Sequence, residues 1–372
     1  MTRNTAVFKA GLDDVVAVRT RLSRVDGEAG GLVLAGHRVH DLASQNGFEA
    51  VGHLLWQGTL PDPPTLASLR TELGRKRVAM HRLLADRDFQ PLEDPMDSLR
   101  AALAQIESTA DPQQDKLIVA GAAPVANAWW WAHKNGLAAL EPDPEVGTAA
   151  DYLRLITRET PTDIAVRSMD RYLVTVSDHG MNASTFTARV IASTRSDLVS
   201  AVVGAVGALK GPLHGGAPGP VLDMLDAIGT PEAAGAWLRS ELEAGRRIMG
   251  MGHRIYRVRD PRAAVFEQAV TELKASGDGS GRLALARAVE AEAEEQLATR
   301  YPGRSLKANV EFYTAVLLEA LGVPRQLFSA TFAVGRMAGW IAHYLEQREE
   351  DRLIRPRSQY VGPAPGEAGR PV

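Results

Sequence analysis

From Pro63 to Leu84 the chain reads Pro-Pro-Thr-Leu-Ala-Ser-Leu-Arg-Thr-Glu-Leu-Gly-Arg-Lys-Arg-Val-Ala-Met-His-Arg-Leu-Leu. Leu66, Leu69, Leu73, Met80, Leu83 and Leu84 recur at the period of one helix face. The paired prolines suit a first helical turn, whose amides have no partner inside the helix. Leu99, Leu103 and Ile106 continue the pattern downstream. Ser196-Asp197 opens another helix over Leu198–Leu209, whose small residues Ala201, Gly204, Ala205 and Ala208 let a second helix come close. Val265, Phe266, Ala269, Val270 and Leu273 form one more stripe. Arg282 to Ala298 reads as an exposed helix, and Val316, Leu317, Ala320 and Leu321 belong to a helix beginning near Asn309. Two-residue alternation is almost absent after residue 40, so the fold class is mainly α. At the N-terminus, Val15–Val18 and Leu32–Leu34 flank the Gly/Asp-rich turn Asp26–Gly31 and predict a small β-hairpin. Trp129-Trp130-Trp131 faces three directions on a helix and reads as packing. The Pro/Gly-rich tail after Tyr360 reads as extended or disordered.

A chain of 372 residues is too long for one typical core and fits two subdomains, or one large domain with an inserted smaller one. Lys and Arg number 42 against 45 Asp and Glu, a balance that excludes a general nucleic-acid surface. There are no cysteines, which excludes disulfides, thiolate zinc sites and cysteine nucleophiles, and fits a reducing compartment. Met1–Asp14 lacks the apolar run of a signal peptide, and no stretch approaches the roughly 20 apolar residues of a membrane helix. The expectation is a soluble cytoplasmic protein with no membrane partner.

Chemistry concentrates where Gly, His and Pro interrupt the helices. These segments are Asp178–Thr185 with His179, Gly211–Pro218 with His214, and Gly250–Tyr256 with His253. Histidine exchanges protons near neutral pH, and glycine lets a ligand or another backbone approach. Any one of them alone reads better as an ordinary loop histidine. Their spacing does not support a metal site, and no phosphate-binding Gly-x-x-x-x-Gly-Lys motif is present. Arg262 follows Asp260-Pro261, Arg336 sits in an apolar stretch, and Arg355 and Arg357 bracket Pro356. A guanidinium on an apolar helix needs an anion, either a structural carboxylate or a substrate's. Glu311 follows Asn309-Val310 at a helix start, where the helix dipole favours an ionised carboxylate.

Together these segments resemble the citrate synthase family over almost the whole chain. The resemblance rests on Gly211-Pro212-Leu213-His214-Gly215-Gly216-Ala217, on Gly252-His253-Arg254-Ile255-Tyr256 with Asp260-Pro261-Arg262, and on Arg355-Pro356, in that order. The N-terminal segments Val25–Glu28 and Phe48–Val51, leading to Leu54-Leu55-Trp56, also match. It implies a two-domain helical fold. Residues 1–221 and 329–372 would form a large, dimer-forming domain, and residues 222–328 a small domain closing over the substrates. It implies condensation of acetyl-CoA with oxaloacetate and water to citrate and CoA, the entry to the tricarboxylic acid cycle. In it His214 would stabilise the enolate, His253 would protonate the oxaloacetate carbonyl, and Glu311 would take the methyl proton. His179, Arg262 and Arg336 would hold oxaloacetate, with Arg355 arriving from the second subunit of a homodimer. Leu213, Gly250, Gly252, Lys307 and Asn309 match the coenzyme A side. The resemblance implies no metal and no bound cofactor, coenzyme A coming with the substrate.

Three changes depart from the common pattern: Glu311 where Asp is usual, Gly180-Met181 after His179, and Pro218 after Ala217. Together they resemble the branch named citrate synthase 2. Two other functions compete with citrate formation. One is 2-methylcitrate synthesis from propionyl-CoA. The other is a non-catalytic paralogue that senses acyl-CoA or a dicarboxylate.

Overall fold

The computed structural model describes residues 8–12, 15–214, 218–253, 255–277, 282–363 and 365. The Gly215–Ala217 part of the His214 motif, Arg254, the expected break at 278–281 and the end of the tail lie outside the described residues. Near the start, β1 (Ser23–Asp26), β2 (Gly31–Leu34) and β3 (His37–Arg38) form an antiparallel sheet in chain order. Helices follow: α1 (Val39–Gln45), α2 (Phe48–Gln57), α3 (Pro63–Asp86), α4 (Pro95–Leu103) and α5 (Pro112–Lys134). Next come α6 (Thr148–Thr157), α7 (Asp163–Val176), α8 (Ala183–Ser193), α9 (Leu198–Leu209) and α10 (Pro218–Ile228). The last are α11 (Ala234–Glu243), α12 (Pro261–Ser276), α13 (Arg282–Arg300), α14 (Val310–Ala320) and α15 (Phe328–Glu350). The mainly α expectation holds. Among the described residues, no helix is long and apolar enough to cross a membrane.

Four helices, α3, α4, α5 and α12, open with the same Asp-Pro pair. In each the aspartate side chain accepts an orphan amide of the first turn, and proline fills the position that needs no amide. The N-terminal strand differs from expectation. Ser23–Asp26, not Val15–Val18 with its exposed Val15, Val16 and Ala17, pairs with β2, in the register Asp26↔Gly31 to Ser23↔Leu34. A four-residue turn fixes its strands immediately on either side of it, so a run eight residues upstream cannot be the partner. Helix α13 is also not simply exposed, since Leu283, Leu285, Ala286, Val289, Ala293 and Leu297 are buried. The three tryptophans pack: the indoles of Trp129 and Trp130 donate to the Phe89 and Leu92 carbonyls, and Trp131 stacks on Trp130.

Helices α5 and α15 are buried on nearly every side and form the centre of the core. Charge inside this core is fully matched around Arg77. Its guanidinium bonds Asp151 at 2.7 Å and also reaches Thr148 and the Asp143 and Val146 carbonyls. Helix α15 lies tight against the end of α7 because Gly335 and Gly339 carry no side chain. A β-carbon on Gly339 would stand 2.2 Å from the Ser177 carbonyl oxygen, and one on Gly335 would stand 2.5 Å from Val176. This close approach sets the depth of Arg336, the next residue after Gly335.

Candidate active site

The centre of the site is a short antiparallel pairing between 250–252 and 307–309. Gly252 N donates to Lys307 O at 2.7 Å, Asn309 N donates to Gly250 O at 2.9 Å, and Met251 bridges Ala308. Gly250 and Gly252 have φ of +73° and +86°, a region side chains disfavour. Asn309 caps α14 by accepting from Glu311 N at 3.0 Å, while its amide donates to Gly252 O at 2.9 Å. Asp260 N joins the same seam through Ala308 O at 3.1 Å. The loop bearing His253, the helix start bearing Glu311 and the helix start bearing Arg262 are thereby one unit.

His253 Nδ1 accepts from the amides of Ile255 and Tyr256, each at 3.0 Å. An amide only donates, so we assign the ring proton to Nε2. Burial, then the Arg262 charge, lower its pKa to about 4, which leaves it neutral at pH 7. His214 is fixed the opposite way. Its Nε2 faces the Ser184 amide at 3.3 Å and the Ser184 hydroxyl at 2.8 Å, so the proton is assigned to Nδ1. The Trp340 indole donates to the same hydroxyl at 3.1 Å. Burial and Arg336 bring the His214 pKa to about 4 as well. His179 is buried, and burial followed by Arg262 and Arg336 holds its pKa well below the usual value. Its Nε2 lies 3.1 Å from the Tyr256 hydroxyl, and its ring centroid lies 5.7 Å from that of His253.

Two buried cations accompany the histidines. Arg262 grips Asp260 through Nε and Nη2 at 3.0 and 2.7 Å. Arg336 donates Nε to the Val176 carbonyl at 2.7 Å, and its guanidinium lies 4.7 Å from the Phe332 ring centre. Among the described residues, no carboxylate stands within 4.0 Å of Arg336. Burial lowers its pKa to about 10 against the attraction of Asp178, so it remains a cation at neutral pH. Of the two partners open for Arg336 in the sequence, a structural carboxylate is therefore not in contact. Glu311 is half-buried in the first turn of α14. Burial raises its pKa to about 7 although Arg262 and Arg247 oppose the rise. The dipole at the helix start, expected to favour ionisation, is outweighed by lost hydration.

The remaining residues sit further out. Arg355 is exposed on the segment after α15, and no hydrogen bond or ion pair among the described residues ties it to the cluster. Leu213 is fully exposed beside His214, and the Lys307 ammonium pairs with Glu294 at 2.7 Å. No group of three His, Asp or Glu among the described residues is arranged to hold a metal ion. Tyr256, Asp260, Ser184 and Asp178 also build the site, although sequence reasoning gave them no role. The Asp-Pro capping signature could have marked Asp260, and the other three lie inside the segments singled out for their histidines.

The family described as "Citrate synthase, C-terminal domain" matches residues 11–357. A citrate synthase of Haloferax volcanii is 36 % identical, with 95 % of this chain and 96 % of that one covered. The chain belongs to the citrate synthase family. Citrate synthase 2 of Bacillus subtilis is 35 % identical, with 95 % of each chain covered. The structure of the ternary complex of carboxymethyl coenzyme A and oxaloacetate with the Thermoplasma acidophilum citrate synthase superimposes with a TM-score of 0.84. It is 28 % identical and covers 95 % of this chain and 96 % of that one. Membership makes the protein an acyl-transferring enzyme with the helical citrate synthase fold.

Proposed function

We propose that this citrate synthase family member condenses acetyl-CoA with oxaloacetate and water to give citrate and CoA. One observation carries the reading. The 250–252 and 307–309 pairing joins a carboxylate that titrates near neutrality to a neutral histidine with a free Nε2–H. Glu311, once ionised, takes a proton from the thioester methyl group. His214 Nδ1–H stabilises the charge developing on the thioester oxygen. The new carbon nucleophile attacks the ketone of oxaloacetate, whose oxygen receives the proton of His253 Nε2. Arg262 and Arg336, with His179, bind the carboxylates, since a guanidinium fork matches a carboxylate. Water then cleaves the citryl thioester. Side chains carry every step, and coenzyme A enters with the substrate, with Leu213, Gly250, Gly252, Lys307 and Asn309 on its side.

Residues 222–328 form the small domain of this reading, closing on the remainder to exclude water. The working unit is a homodimer in which Arg355 completes the partner's site. Its exposure here, and the half-buried small face of α9 at Gly204, Gly207 and Ala208, support that arrangement. Sedimentation equilibrium should give twice the chain mass, and a fully active monomer would sink the shared site.

The reaction itself is tested by release of free CoA thiol with oxaloacetate present and acetyl-CoA or propionyl-CoA in parallel. Faster release from acetyl-CoA supports the proposal. One methyl group in an apolar pocket shifts selectivity by only about 1–3 kcal/mol, so preference for propionyl-CoA would reassign the enzyme to 2-methylcitrate synthesis. Tight CoA binding with no release from either would leave a sensor.

A further inference from the structure

Helix α15 presents Arg336, Gly339 and His343 to the turn that carries His179. They are spaced i, i+3 and i+7, so they share one face. Arg336 holds the Val176 carbonyl, Gly339 lies against Ser177 and Asp178, and His343 Nε2 stands 3.2 Å from each oxygen of Asp178. His343 and Asp178 are fully buried. The direction of this last bond is set from behind. Arg189 Nε, which can only donate, points at His343 Nδ1 from 2.9 Å, so the histidine proton sits on Nε2 and goes to Asp178. Arg189 is itself held by Glu346 and by Gln347 Oε1 at 3.0 Å. The second donor to Asp178 comes from β1. Ser23 Oγ accepts from Gly180 N at 3.0 Å and gives its hydrogen to Asp178 Oδ2.

Two neutral, one-way donors thus hold the carboxylate nearest in charge to Arg336, and it acts on Arg336 through space without touching it. A buried carboxylate without such donors would close onto a neighbouring guanidinium, because a charge-assisted fork is the stronger pairing. We propose that His343 is a positioning residue for ligand binding: with Ser23 it restrains Asp178, and so leaves the buried Arg336 guanidinium open to a carboxylate of the dicarboxylate substrate. The inference rests on the reading of Arg336 as an oxaloacetate-binding residue.

The test is oxaloacetate binding by titration calorimetry, with steady-state KM values, on the full chain and its variants. His343→Leu should weaken oxaloacetate about ten- to a hundredfold, the size expected for losing a hydrogen bond to a buried charge. The KM for acetyl-CoA should stay within about twofold, because none of the residues proposed for the coenzyme A side is among the hydrogen-bond partners of Asp178. His343→Gln keeps a donor toward Asp178 and an acceptor toward Arg189, and should restore binding to within about threefold. Adding Asp178→Asn to His343→Leu should recover part of the affinity, since a neutral amide does not compete for Arg336 as a carboxylate does. If His343→Leu does not fold, Ser23→Ala removes the other donor and should move oxaloacetate affinity in the same direction. Unchanged oxaloacetate affinity in folded His343→Leu or Ser23→Ala would overturn the inference alone. So would a deeper loss in the double variant. Wild-type protein that takes up no oxaloacetate would remove the proposed function and this inference with it.

Discussion

Glu311→Gln is expected to lower kcat by about 10²–10⁴, the usual contribution of a positioned general base. Release of free CoA thiol measures it. Gln is nearly isosteric, so binding of both substrates should survive while the proton acceptor is gone. The pH profile separates this role from a packing role. Glu311 works only when ionised, and its pKa is raised to about 7, chiefly by burial. Turnover of the wild type should therefore fall as pH drops through about 7. Stability has the opposite sign. A carboxyl with a raised folded-state pKa stabilises the fold while protonated, and that contribution is lost as pH rises through its folded pKa. The Gln variant should lose the activity limb near pH 7 and be at least as stable as wild type at pH 8. Equal kcat in Glu311→Gln would assign the base to another group. Glu311→Asp addresses the departure from the usual family residue. A shift of about 1 Å in a reacting group can cost on the order of a hundredfold in rate, so this chain's geometry should favour Glu over Asp.

His253→Ala should cost a comparable 10²–10⁴ in kcat, with a smaller effect on the KM for acetyl-CoA. The ring reaches the site as a neutral donor because the Ile255 and Tyr256 amides occupy Nδ1, leaving Nε2–H available. With a pKa near 4, the imidazolium form is scarce at neutral pH, so in the proposed mechanism the group acts as neutral imidazole. His253→Gln tests the geometry. Its amide can still donate toward a carbonyl oxygen, so part of the lost rate should return. No loss of kcat in His253→Ala would end the assignment of the proton donor. Nitrogen-15 chemical shifts of the His253 ring would read the tautomer directly, and a bare Nε2 would contradict the assigned one.

Much of the helical architecture was legible because its signals are local. The Pro63–Leu84 stripe became α3, the Leu198–Leu209 stripe matched α9 residue for residue, and Asn309 caps α14. The N-terminal strand was misplaced because β-pairing depends on a partner, and the apolar run at Val15–Val18 has none. The burial of α13 was missed because an Ala/Glu-rich composition does not reveal which neighbour will cover one face.

The candidate site divides along the same line. Residue types and spacing by themselves determined that His179, His214 and His253 sit at breaks between helices and that Arg336 lies on an apolar one. Only the tertiary structure decided the chemistry of these groups. The protonated nitrogens of His214 and His343 are set by donors from other segments, the Ser184 amide and the Arg189 guanidinium, whereas that of His253 is set by two amides of its own loop. The neutral-range pKa of Glu311 depends on how much water the fold removes, which overrides the helix dipole visible in the sequence. Among the described residues Arg336 has no contacting carboxylate: Gly339 lets α15 close onto Asp178, and His343 of α15 together with Ser23 of β1 holds that carboxylate. Local propensity can set a helix and its ends, but hydration and hydrogen-bond direction are properties of what surrounds a group, and those surroundings are assembled from residues far apart in the chain.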